Sequence, residues 1–138
     1  MDDCLGCRTA AGAFGPDEIY RDELVVAVVA QHAVNPGHVV VVSREHVRNA
    51  LTMSDDLLFH LTRVGRDLGR ELLAALPCPS VMLLFNNEAP CQSLFHAHLH
   101  VVPREHGDCM DRRFGGEVPE VERRAMAARL RARLARDE

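Results

Sequence analysis

The sequence predicts an α+β domain with its helices packed on one face of a mostly antiparallel sheet. Three observations predict it. Two β-branched runs, at residues 24–29 and 38–42, flank the turn Asn35-Pro36-Gly37 and read as neighbouring buried strands. Leu57, Leu61, Val64, Leu68 and Leu72 recur at three- and four-residue steps, the period of one long helix. Residues 95–102 begin with the alternation Phe, His, Ala, His, Leu, His, Val, the period of a strand with two chemically different faces.

The elements follow in order. Residues 4–18 hold Cys4-x-x-Cys7 and then Gly, Ala and Pro, which reads as a knuckle and loop. After the two valine-rich strands, Ser54 is placed to cap the long helix, with Asp55 and Asp56 in its favourable first turn. Pro77 and Pro79 stop that helix. Residues 81–85 form a further strand, residues 86–93 a polar loop, and Met126, Leu130 and Leu134 a last helix after Pro119. There is no internal repeat, so residues 1–138 read as a single domain with a knuckle at 4–7 and a helical tail at 119–136.

Composition narrows the function classes. With 47% hydrophobic and 26% charged residues, a chain of 138 residues builds one ordinary core. A net charge of −4 argues against a general nucleic-acid binder, which needs an excess of cations against phosphates. Lysine is absent, so a cationic phosphate contact must come from Arg, His or backbone amides. No apolar stretch approaches the roughly 20 residues that span a bilayer. The acidic start Met1-Asp2-Asp3-Cys4 lacks a secretory pattern, so a cytoplasmic location with reduced cysteines is expected.

Alternation sends His96, His98 and His100 to one face and Phe95, Ala97, Leu99 and Val101 to the other. Imidazoles about 7 Å apart along such a row suit metal ligation, or nucleophilic and acid–base work on a phosphate. The bland reading is a polar face on an edge strand. Just upstream, the loop from Asn86 to Ser93 can aim backbone N–H groups, amides and a hydroxyl at an anion. Cys4-x-x-Cys7 reads as a redox pair, a surface accident, or half of a metal site that needs two more ligands.

Here the chain resembles the histidine triad family. The matching segments are Gln92-Ser93-Leu94-Phe95-His96-Ala97-His98-Leu99-His100-Val101-Val102-Pro103-Arg104 and Asn35-Pro36-Gly37-His38 with the strand that follows, and Glu18-Ile19-Tyr20-Arg21-Asp22 resembles the family's opening strand. The resemblance implies a five-stranded antiparallel sheet with one long central helix and a C-terminal helix, commonly as a homodimer that binds purine nucleotides. It makes His98 the nucleophile at the α-phosphorus, with His100 and Ser93 on phosphate oxygens, Asn86 and Gln92 completing the loop, and His38 supporting the site. It also implies that His46 and His96 join Cys4 and Cys7 in a structural zinc site.

The chain departs from the family in several places. Ala30 stands where relatives carry an Asp or Asn for the ribose hydroxyls, which puts nucleoside selectivity in question. The loop from Asn86 to Gln92 is one residue short and lacks its glycines, and Pro90 has no N–H to offer an anion. Cys78, Cys91 and Cys109 read as passive. His60 reads as helix surface, and His32 and His106 have no assigned role. Eight of the sixteen arginines lie from Arg112 onward, where they read as the solvated face of an amphipathic helix.

The leading expectation is a nucleoside phosphoramidase or nucleotidyl hydrolase that releases a monophosphate. The competing expectations are a dinucleoside polyphosphate hydrolase or phosphorylase, a non-catalytic nucleotide- or zinc-binding module, and a three-histidine catalytic metal centre.

Overall fold

The computed structural model describes residues 3–108 and 117–136. Five strands, β1 (Glu18–Arg21), β2 (Val25–Val29), β3 (Val39–Ser43), β4 (Ser80–Leu84) and β5 (His98–Arg104), form one antiparallel sheet in the order β1-β2-β3-β5-β4. Helices α1 (Leu5–Ala10), α2 (Asp55–Ala75) and α3 (Glu120–Arg136) complete the α+β architecture. Among the described residues no helix is long and apolar enough to cross a membrane.

The core forms where one face of the sheet meets the apolar stripe of α2. Val25, Ala27, Val39, Val41, Leu99 and Val101 pack with Leu57, Leu61, Val64, Leu68 and Leu72. Leu61 and Leu72 are fully buried, each contributing about 1.5–3 kcal/mol against exposure. Ser54 caps α2 by accepting from the Leu57 N–H at 3.2 Å. Leu76 is extended (ψ 152°), as the residue before Pro77 must be, and there the helix ends.

Alternation then determines the second face. Val28 pairs with Val40, Val40 with His100, and Val42 with His98, so these side chains point away from α2. The turn before β3 is made by Gly37 at φ +90°, where an added Cβ would also lie 2.4 Å from Leu76. Asn35 pins this turn to the far end of β5, donating to the Pro103 carbonyl at 2.8 Å.

Four expectations are corrected. Residues 5–10 form a helix rather than a loop, with Cys4 as its N-cap accepting from the Cys7 N–H. The triad strand starts at His98 rather than Phe95, because His96 turns off the sheet toward α1. His60 is not plain surface: its Nε2 lies 2.6 Å from Asp22, whose other carboxylate oxygen accepts the Leu24 and Val25 N–H groups of the β1–β2 turn. The arginines of α3 divide: Arg124, Arg129, Arg131 and Arg136 are exposed, as expected, whereas Arg123 is buried and Arg133 half-buried. Arg123 pairs with the buried Asp17 at 2.9 Å and Arg133 with Glu71 at 3.0 Å. Arg129 and Arg131 donate to the Ala75 and Glu18 carbonyls, and the former is an end-of-helix carbonyl in need of a donor. Long arginine stems lie along apolar surface while their planar heads reach such groups, which a count of charges does not reveal. Cys109, Arg112 and Arg113 lie outside the described residues.

Candidate active site and metal centre

Because β5 begins at His98, the triad divides. His96, fully buried, faces α1, while His98 and His100 stay on the sheet with their rings 4.8 Å apart in a T-shaped contact.

On the α1 side, Cys4, Cys7, His46 and His96 converge. The four Sγ to Nδ1 distances run from 3.3 to 3.6 Å, and the two Nδ1 atoms lie 3.2 Å apart. A tetrahedron with Zn–S near 2.3 Å and Zn–N near 2.05 Å has S···N edges of about 3.5 Å and an N···N edge of about 3.3 Å. The four ligand atoms therefore fit zinc without rearrangement. His96 Nε2–H donates to the Ser43 carbonyl at 2.6 Å, which leaves Nδ1 with its lone pair toward the metal position. Gly6 makes this close approach possible, since a Cβ there would sit 2.2 Å from His96 Cγ.

On the sheet side, His98 Nδ1–H donates to the His96 carbonyl at 2.7 Å, so the free lone pair is on Nε2. Burial pushes the His98 pKa below its ordinary value, and the ring is neutral at pH 7. His38 accepts the Val34 N–H at Nδ1 (3.0 Å), so its proton is on Nε2 and is donated to His100 Nδ1 at 2.9 Å. His100 in turn carries its own proton on Nε2, as a donor. Burial, with His98 nearby, lowers His38 to about 4; burial, with His98 and His38 nearby, lowers His100 to about 3. The pair is held neutral, with its protons in a defined order.

His38, His98 and His100 line a cavity of about 200 Å³, together with Val28, Val40, Val42, Ala30, Gln31, His32, Asp17, Leu94 and Phe14. Leu5, Gly6 and Thr9 of α1 form another wall, so the segment that carries Cys4 and Cys7 also bounds the cavity. An apolar cleft with a few convergent polar groups is the usual form of a small-molecule site.

The loop before β5 is placed differently from the histidines, and Asn86, Gln92 and Ser93 are not part of that lining. Asn86 is half-buried and Ser93 exposed. Gln92 is buried with its amide engaged: Nε2 donates to the Arg48 and Leu94 carbonyls, and Oε1 accepts from Asn49 Nδ2 and the Glu88 N–H. Glu88 stands in the left-handed region (φ 68°), where glycine is favoured. Its carboxylate is held by Arg48 at 2.8 and 2.9 Å and by Asn49, while Asn87 accepts the Ala50 N–H. The shortened loop is thus laced to residues 48–50. Sequence reasoning missed this lacing, together with Gly6 and Asp17; Asn49, a short polar residue before Ala50-Leu51-Thr52, was the available signal, since it caps that turn.

Comparison with known proteins places this geometry. Residues 16–107 match the HIT domain family. A HIT-like protein of Saccharolobus solfataricus is 31% identical over 101 residues, covering 72% of this chain and 73% of its own. The Arabidopsis thaliana adenylylsulfatase HINT3 is 23% identical over 111 residues, covering 80% of this chain and 56% of its own. The crystal structure of a zinc-bound histidine triad family protein from Mycobacterium smegmatis superposes with a TM-score of 0.81 at 25% identity, covering 99% of both chains. The chain belongs to the histidine triad (HIT) family of nucleotide-binding hydrolases and transferases, and its Cys/His cluster fits the zinc-containing branch of that family.

Proposed function

We propose that the protein hydrolyses or transfers a nucleoside monophosphate group, as a nucleoside phosphoramidase does, through a covalent nucleotidyl-histidine on His98. The observation that carries this reading is the 2.7 Å bond from His98 Nδ1 to the His96 carbonyl, which leaves a neutral nucleophilic nitrogen on a ring that lines the cavity.

His98 Nε2 attacks the α-phosphorus of a purine nucleotide derivative; the N–P bond forms as the bond to the leaving amine breaks, and the amine departs with a proton taken from solvent. Water then displaces the imidazole, releases the monophosphate and restores His98. His100 offers its Nε2–H to a phosphate oxygen as charge develops, and His38 fixes that tautomer from behind. Ser93 and Asn86 supply donors from the loop, and Gln92 holds the loop in shape. The proposed zinc on Cys4, Cys7, His46 and His96 is structural, because four protein ligands leave no open position. The edge strand β4, with Leu83 and the nearby Leu73 exposed, supports a homodimer as the working form.

Incubation with an adenosine phosphoramidate tests the reading. AMP release and an acid-labile adduct are expected, and His98→Ala abolishes both while fold and zinc persist. Parent-level turnover by His98→Ala removes His98 as the nucleophile.

A further inference from the structure

We infer that Asp17 recognises the sugar hydroxyls of the nucleotide and makes the cavity selective for ribonucleotides over their deoxy forms; the inference rests on the nucleotide reading above. The cavity beside His98 is walled largely by apolar groups such as Phe14 and Val28, which suit a base but give a sugar's hydroxyls nothing to bond. Ala30 contributes only a methyl group. Among the described residues that line this cavity, the one acidic side chain is Asp17.

Its placement is specific. The turn Gly15–Asp17 holds it by an Asp17 N–H to Phe14 carbonyl bond of 2.9 Å. The antiparallel register, with Glu18 opposite Val28, then carries it alongside Val29 and Ala30. Asp17 is only 4% exposed, and a carboxylate so deeply buried needs a compensating charge. Arg123 of α3, itself buried, supplies that charge through Nε to Oδ2 at 2.9 Å. Oδ1 has no such partner among the described residues, and a carboxylate oxygen accepts two hydrogen bonds, the number that vicinal hydroxyls donate. A sugar without those hydroxyls leaves this oxygen unmatched, and hydrogen bonds to a charged group are strong enough for about 10- to 100-fold discrimination.

The test is calorimetric binding of AMP, 2′-deoxy-AMP and 2′,3′-dideoxy-AMP to the full chain. The expected result is AMP binding about 10- to 100-fold more tightly than the dideoxy form, with the 2′-deoxy form between. Asp17→Ala removes both acceptor oxygens and brings the ratio close to one while dideoxy affinity holds. Because that change strands the Arg123 charge, the double variant Asp17→Ala with Arg123→Met is measured beside it; it removes that charge as well. Equal binding of AMP and dideoxy-AMP by the parent overturns the inference, as does a full ratio in the folded double variant. A parent chain that discriminates but shows no phosphoramidate turnover keeps this inference and sinks the catalytic reading. Failure to bind any of the three nucleotides sinks both.

Discussion

His98 Nδ1 lies 2.7 Å from the carbonyl oxygen of His96, so a member of the Cys/His cluster and the proposed nucleophile are joined through one peptide. The Nδ1 of His96 belongs to the quartet, and its backbone oxygen selects the His98 tautomer. Metal loading is therefore expected to affect turnover without any metal–substrate contact. Zinc analysis of the purified chain should give about one ion per molecule, lost in Cys7→Ala and kept in His98→Ala. Cys7→Ala should also lower the Tm and reduce turnover about 10- to 100-fold, the usual effect of disturbing the support around such a site. Loss of zinc in His98→Ala, with Cys7→Ala still loaded, places the metal among the triad imidazoles instead.

Gly6 tests the same connection without touching a ligand. A Cβ at this position meets three atoms of the His96 side chain at 2.2–2.6 Å, a side chain held at its other end by Ser43. Gly6→Ala forces α1 and His96 apart, and overpacking of this kind costs on the order of 1–3 kcal/mol. The expected outcome is a lower Tm with weaker zinc retention against a chelator, while Gly15→Ala, where an added Cβ meets nothing within 4 Å, leaves both nearly unchanged. Equal behaviour of the two variants means that the close approach of α1 to His96 does not matter.

How much of this was legible beforehand depends on the range of the interaction. The α2 stripe and the valine-rich strands were readable because their periods are local. Alternation put His98 and His100 on one face, and His38 joined them only through the family resemblance. The direction of His96 did not follow, because alternation holds only while the segment stays paired, and β5 begins two residues later. Asp17–Arg123 spans 106 positions and Arg48–Glu88 spans 40, separations at which no periodicity operates. The α1 helix is six residues long, too short to show an apolar repeat, and it is held against the sheet by tertiary contacts at Gly6 and His96.

The buried His38–His100 pair predicts how stability depends on pH. Both native pKa values, about 4 and about 3, lie below the ordinary histidine value of 6.5. Between these limits the unfolded chain binds more protons than the native one, so stability is complete above about pH 7 and falls as pH drops through 6.5 toward 4. The loss should be on the order of 3 kcal/mol for each ring across that window. Chemical denaturation at pH 7.5, 6.0 and 5.0, with bound zinc monitored throughout, reads it directly. His38→Asn should flatten the profile and, by releasing the His100 tautomer, lower kcat about 100-fold with little change in KM. A parent profile that is flat from pH 7.5 to 5.0 excludes a neutral buried pair.

The loop before the triad strand gives a prediction with an internal control. Glu88 occupies a left-handed conformation and also supplies the carboxylate that Arg48 and Asn49 hold. Those two properties pull substitutions in different directions. Glu88→Ala keeps the backbone strain and removes the carboxylate, so it should be the more damaging change. Glu88→Gly removes the same contacts but relaxes the backbone, so its Tm should lie between that of Glu88→Ala and the parent. Both loosen the loop that carries Ser93, the proposed phosphate donor, and KM for a phosphoramidate should rise several-fold in each, with kcat changing less. The exposed Arg48–Glu88 pair is open to screening, so raising the salt concentration should move the parent's KM toward that of the variants. Unchanged KM in both variants, at low and high salt, means that the lacing holds the loop but has no part in receiving substrate.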